Sequence, residues 1–186
     1  MIIQDDTQVI QSILSGNIRE YEVLVNRYKD LAFTIAYRIL NNREDAEEVA
    51  QDSFIKAYRG LSTFRKDSGF STWLYRIVFN SAVSRKRLKR VVFQNIDDMP
   101  SLQEQSDLPK YDFDALAEKG QMLERAMQNI PEEDRVLITL YYINESSVDE
   151  IHAITGLSKA NIKVRLFRAR KKLQELVSKM AERTYI

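Results

Sequence analysis

Residues 94 to 114 read QNIDDMPSLQEQSDLPKYDFD, and no other stretch constrains the fold as strongly. They hold two of the chain's three prolines, with acids Asp97, Asp98, Glu104, Asp107, Asp112 and Asp114 against one base, Lys110. Their apolar residues follow no period, which is the pattern of a linker. On either side the apolar spacing is helical, and neither a β-hairpin signal nor an internal repeat occurs. A chain of 186 residues divided there leaves two pieces, each able to bury only a modest core. The expected fold class is all-α: two small helical domains, residues 1–92 and 115–186, joined by a flexible acidic linker over 93–114.

In the first block, Val9, Ile10, Ile13 and Leu14 predict a short helix ended by Gly16. Apolar residues from Tyr21 through Leu24, Tyr28, Ala32 and Ile35 to Ile39 predict a longer one. Asn42 is placed to cap a third helix, with Glu44 and Asp45 at the positive end of its dipole. That helix carries Ala46, Val49, Ala50, Phe54, Ala57 and Tyr58 inward until Gly60, and Ser71 is a candidate cap for the fourth. In the second block, Pro131 precedes acids suited to a first helical turn. Ser147 and Glu150 form a capping box, so a helix begins at Val148; Gly156 ends it and Ser158 can cap the next. A short helix, a glycine turn and a longer helix over about 147–172 is helix-turn-helix layout.

Charged residues at 30 % and a net charge of +1 are those of an ordinary globular protein, so any charged partner must be read from local distribution. Cysteine is absent, which rules out a disulfide framework and a thiolate zinc site. There is no apolar run near the roughly 18 residues of a membrane span, and the first residues lack the layout of a secretory signal. The expectation is an intracellular, cytoplasmic protein with no metal or cofactor, no small-molecule substrate and no membrane insertion.

Two helices carry local excess charge. Stepping about 100° per residue through 71–90 gathers Leu74, Ile77, Val78, Ser81, Ala82 and Leu88 on one side. Arg76, Asn80, Val83, Arg87 and Arg90 lie almost opposite, and Trp73, Tyr75 and Phe79 fall at the borders. Residues 81–90 contain no acid, so this positive charge is uncompensated within its own helix and favours a polyanion. Rings bordering a basic stripe suit single-stranded DNA, whose unpaired bases stack on them. In the last helix Ile162, Leu166, Ala169, Leu173 and Leu176 project inward, and Ala160, Val164, Phe167 and Lys171 outward, flanked by Lys163 and Arg168. From Lys159 to Lys172 there are seven bases and no acid, which suits a helix lying in the major groove of duplex DNA. One face for each kind of DNA suits a protein that acts where duplex is being opened.

At these residues the chain resembles an RNA polymerase sigma factor of the extracytoplasmic-function (ECF) type. FRKDSGFSTWLYRIVFNSAVSRKRLKR is similar to the family's promoter-melting segment in region 2, and REDAEEVAQDSFIKAYRGL to the adjoining polymerase-binding helix. IPEEDRVLITLYYINESSVDEIHAITGLSKANIKVRLFRARKKLQEL is similar to region 4. The resemblance implies a region 2 bundle, a region 4 helix-turn-helix domain and no catalysis. Its implied partners are core RNA polymerase (the largest subunit's coiled coil and the second-largest subunit's flap), promoter DNA and an anti-sigma factor, which could hold the chain at the membrane. Carried over by position, Asp45, Glu48, Gln51, Asp52, Phe54 and Tyr58 would face polymerase. Phe64, Ser71, Trp73, Arg76, Asn80, Ser84, Arg85 and Arg87 would hold the minus-ten element. Ser158, Lys159, Lys163, Val164, Arg165, Phe167, Arg168 and Lys171 would meet the minus-thirty-five element. The chain departs from the family pattern at His152, expected as a helix-surface residue, and at Tyr142–Ile143, where a glycine-containing turn is more usual. The acidic linker has two readings, a plain tether or a shield over the basic faces. The rivals are a regulator that uses only its helix-turn-helix, and a carboxylate enzyme built on Asp45, Glu48 and Asp52.

Overall fold

The structure is a computed structural model that describes residues 5–65, 67–94 and 114–184, with side chains for 5–65, 67–90, 120 and 122–180. Of the acidic linker, residues 93–94 belong to α4 and Asp114 begins α5; the rest, 95–113, and the shielding role lie outside the described residues. Two compact units result, one built on the first four helices and one on the last four apart from residues 153–156. Every regular element among the described residues is helical.

In the first unit the helices are α1 (Asp6–Leu14), α2 (Tyr21–Leu40), α3 (Arg43–Gly60) and α4 (Phe70–Gln94). The corner between α2 and α3 is only two residues long. Asn41 adopts a left-handed φ of 50°, which asparagine tolerates, and Asn42 Oδ1 accepts the Asp45 N–H at 2.8 Å. Small residues (Ala32, Ala36, Ala46, Ala50, Ala57 and Ala82) are buried between the helices and let their backbones approach. Leu24, Ile35, Phe54, Phe70, Leu74 and Val78 fill the rest of the core. Tyr21 donates its hydroxyl to the Phe54 carbonyl at 2.6 Å, and Asp6 receives both Arg27 and the Tyr28 hydroxyl, tying α1 to α2. Burial pushes the Tyr21, Tyr28 and Tyr75 phenols above their usual range. Ser71 does not cap α4. The helix starts at Phe70, two residues before the start a Ser71 cap would give, and the Gly69 carbonyl takes the Trp73 N–H.

The second unit holds α5 (Asp114–Gln128), α6 (Glu132–Ile138), α7 (Val148–Thr155) and α8 (Lys159–Thr184). α6 continues through a wide π-helical turn over Thr139–Ile143. Met127, Ile130, Ile138 and Ala169 form a buried cluster on which Leu173 and Leu176 pack. Arg135 fastens α6 to the end of α5 by donating to the carbonyls of Gln128 and Ile130 at 2.9 and 2.8 Å. In the turn after Ile143, Glu145 takes a left-handed φ of 53° where glycine would be unstrained. The capping box forms in both directions: Glu150 N–H to Ser147 Oγ at 3.2 Å and Ser147 N–H to Glu150 Oε2 at 2.8 Å. Gly156 turns the chain at φ +74°, and Ser158 Oγ accepts the Asn161 N–H at 3.3 Å. His152 lies on the helix surface and donates Nδ1–H to the Leu157 carbonyl at 2.7 Å, closing the turn between α7 and α8.

Candidate polymerase and nucleic-acid interfaces

α3 and α4 run antiparallel, and three polar contacts mark their register. Lys56 Nζ meets Ser81 Oγ at 3.0 Å, Arg85 pairs with Glu48, and Lys89 pairs with Asp45. Asp45 also stands 3.9 Å from Arg85. Arg85 is therefore turned toward α3 and stands apart from the stripe of Arg76, Asn80 and Arg87. Nor is the charge of 81–90 wholly uncompensated, because the neighbouring helix supplies two carboxylates.

On α3, Glu48, Gln51 and Asp52 are exposed, and Tyr58 is half-exposed with its ring 5.0 Å from Tyr21. Phe54 is only 7 % exposed. It sits on the same stripe as Ala50 and Ala57 and belongs to the core, not to an outer face. Sequence reasoning missed Ile55, an exposed apolar residue one turn from Gln51 and Asp52. Its signal was there: at i+4 from Gln51 it falls on the polar side of the helix.

Along α4, Arg76, Asn80, Ser84 and Arg87 are exposed at steps of four, four and three, which places them on one face. Val83 is exposed beside them. At the head of the helix, Phe64 and Trp73 stand 5.2 Å apart and both lean on buried Phe70, at 5.9 and 5.8 Å. Both keep part of their surface exposed, as does Ser71. A Cβ on Gly60 would lie 3.4 Å from the Trp73 ring, so the end of α3 abuts this cluster. Tyr75 is not a border residue, since it is buried against Tyr28 with ring centroids 6.1 Å apart. Leu88, projected inward, is 63 % exposed. Its turn is level with the first turn of α3, where that helix ends and stops covering it.

On α8, Lys163, Arg168 and Lys171 are exposed, and so are Val164 at 47 % and Phe167 at 60 %. The Arg170 guanidinium lies 6.0 Å from the centre of the Phe167 ring. An exposed valine and phenylalanine among bases form a surface suited to thymine methyls between phosphates. Ser158 and Lys159 are exposed at the start of the helix, and Lys159 pairs with Asp149, whose carboxyl it holds below the ordinary range by hydrogen bonding. Arg165 does not share this face. It reaches back to Asp134 at 2.5 Å and Glu133 at 2.7 Å, in the first turn of α6.

The fold is that of a two-unit helical protein with a basic face on α4 and another on α8. Residues 24–91 match the family model of Sigma-70 region 2, and residues 120–173 that of Sigma-70, region 4. The sigma-E factor of Salmonella typhimurium is 31 % identical over 188 residues, covering 96 % of this chain and 97 % of that protein. The sigma factor SigW of Bacillus subtilis is 29 % identical over 175 residues, covering 89 % and 93 %. Among solved structures, the sigma factor RpoE in complex with the anti-sigma factor NepR from Bartonella quintana superposes with a TM-score of 0.71. It is 23 % identical and covers 86 % of this chain and 98 % of that one. CnrH in complex with the cytosolic domain of CnrY gives 0.61 at 28 % identity, covering 93 % and 97 %. The chain belongs to the sigma-70 family, as an RNA polymerase sigma factor of the ECF type. It directs RNA polymerase to promoters.

Proposed function

We propose that residues 1–92 grip core polymerase and capture the minus-ten element, that residues 115–186 read the minus-thirty-five duplex, and that 93–114 tether them. The polymerase face is the outer side of α3, Glu48, Gln51, Asp52 and Tyr58, with Ile55 as its apolar centre. Asp45 contributes mainly by holding Lys89 and Arg85. Minus-ten bases are taken by the Arg76–Asn80–Ser84–Arg87 face, with Phe64 and Trp73 at its upper edge. Asn80 is the best-suited reader because its amide both donates to and accepts from a base edge. Flipping a base costs a few kcal/mol, and stacking recovers about 1–3 kcal/mol, so capture can drive melting without ATP. On the duplex, Lys163 and Arg168 flank Val164 and Phe167, with Lys171 toward the phosphates.

The observation that carries this reading is the single-sided exposure of Arg76, Asn80, Ser84 and Arg87 on a helix whose opposite side is core. An anti-sigma partner is supported by the superposed sigma factor RpoE, solved in complex with the anti-sigma factor NepR, and by CnrH, solved in complex with the cytosolic domain of CnrY. Such a partner would keep the chain cytoplasmic or hold it at the membrane. No helix among the described residues is long and apolar enough to cross a membrane. The chain acts without catalysis: Asp45, the centre of the rival carboxylate reading, faces Arg85 and Lys89 and is poorly placed as a base. Transcription from promoter templates by core polymerase, with and without the chain, tests the proposal. It predicts new promoter-specific transcripts; duplex binding that is unaffected by core and indifferent to unpaired strand would favour the helix-turn-helix regulator.

A further inference from the structure

Seven bases crowd the first half of α8, and one of them faces the wrong way for DNA. Arg165 stands three residues from buried Ile162 and four from buried Ala169, at the edge of the inward side. Its guanidinium forks onto two carboxylates, Nε to Asp134 at 2.5 Å and Nη1 to Glu133 at 2.7 Å. Asp134 is itself largely covered, its side chain 15 % exposed. Those acids occupy the first turn of α6, whose amides favour negative charge, so they are held from two sides. α6 in turn is fixed to α5 by Arg135. A planar fork on two anchors fixes direction as well as distance, which a lysine cannot reproduce.

We propose that Arg165 is a positioning residue for promoter reading: clasped by Glu133 and Asp134, it sets the angle at which α8 presents Lys163, Val164, Phe167 and Arg168. The inference rests on the minus-thirty-five reading above. It predicts that an acid on another helix matters to DNA recognition as much as the base it holds, although the acid itself would repel phosphate.

The test uses the full chain assembled with core polymerase, and a promoter selected by the wild-type assembly from a random duplex pool. Binding is compared with the same promoter carrying a scrambled upstream element, over a range of salt. Asp134→Asn, nearly isosteric, and Arg165→Ala should each lower the preference for the selected element roughly tenfold. The salt slope should stay at its wild-type value, and Arg165→Lys should recover only part of the preference. A phosphate contact would behave otherwise: Arg165→Ala would flatten the slope by about 0.9, while Asp134→Asn would leave binding unchanged or tighter. Either of those results overturns the proposal. If scrambling the upstream element leaves wild-type binding unchanged, the minus-thirty-five reading fails and the inference with it.

Discussion

α4 and α8 share a recipe, a run of bases with aromatics among them, and use it in opposite ways. The rings around the head of α4 pack mostly inward, with only part of Phe64 and Trp73 left exposed. Phe70 and Tyr75 are buried, and Phe64 and Trp73 lean on Phe70. On α8, Phe167 stands out from the surface under Arg170. What the helices have in common is subtler. Each turns an arginine back onto two acids of a neighbouring helix, Arg85 to Asp45 and Glu48, and Arg165 to Glu133 and Asp134. The charge of a basic helix is thus divided between orienting the helix and addressing a partner. Counting bases along the sequence overstates the second share.

If the aromatics are really used in opposite senses, shortening them should separate stability from binding. Phe70→Ala should cost about 3–5 kcal/mol in denaturant unfolding of the first unit, whereas Phe167→Ala should stay within about 0.5 kcal/mol while weakening promoter binding. Equal losses of stability would erase the contrast. Alkali should divide the units next. Burial raises the Tyr21, Tyr28 and Tyr75 phenols, all in the first unit, so the folded state keeps protons that the unfolded state releases. Their contribution is intact below the ordinary value of 10.0 and is lost as pH rises through the raised values. Tyrosinate absorbance should therefore rise together with unfolding of the first unit. Rings that ionise at ordinary pH without unfolding would show that they are not desolvated. The smallest effect belongs to the second unit alone. Ser147→Ala removes one half of the capping box and should cost about 1 kcal/mol, read as a lower melting temperature with the first unit unmoved.

Much of this was legible in the sequence, and the rest failed for one reason. The caps at Asn42, at Ser147 with Glu150, and at Ser158 are local, involving residues three apart, and they form as the sequence predicts. The outward positions of Asn80, Arg87, Val164 and Phe167 follow from helical period alone. Missed were contacts whose partners are distant in the chain. Lys89 meets Asp45 across 44 positions and Arg165 meets Asp134 across 31, so a projection of one helix sees neither acid. Tyr75 and Leu88 failed likewise, Tyr75 because it packs on Tyr28 of α2 and Leu88 because it lies level with the first turn of α3. Phe54 is buried as helical period predicts, and that burial argues only against its expected polymerase contact. The two-residue error at Ser71 arose because α4 begins from the Gly69 carbonyl, a backbone group that side-chain capping patterns do not mark.

The central claim is that the exposed face of α4 takes unpaired bases as the promoter opens. Polymerase carrying Asn80→Ala with Arg87→Ala should be probed with permanganate, which modifies unstacked thymines. The account predicts that minus-ten thymines lose reactivity while the chain still assembles with core. Reactivity at the wild-type level would contradict it.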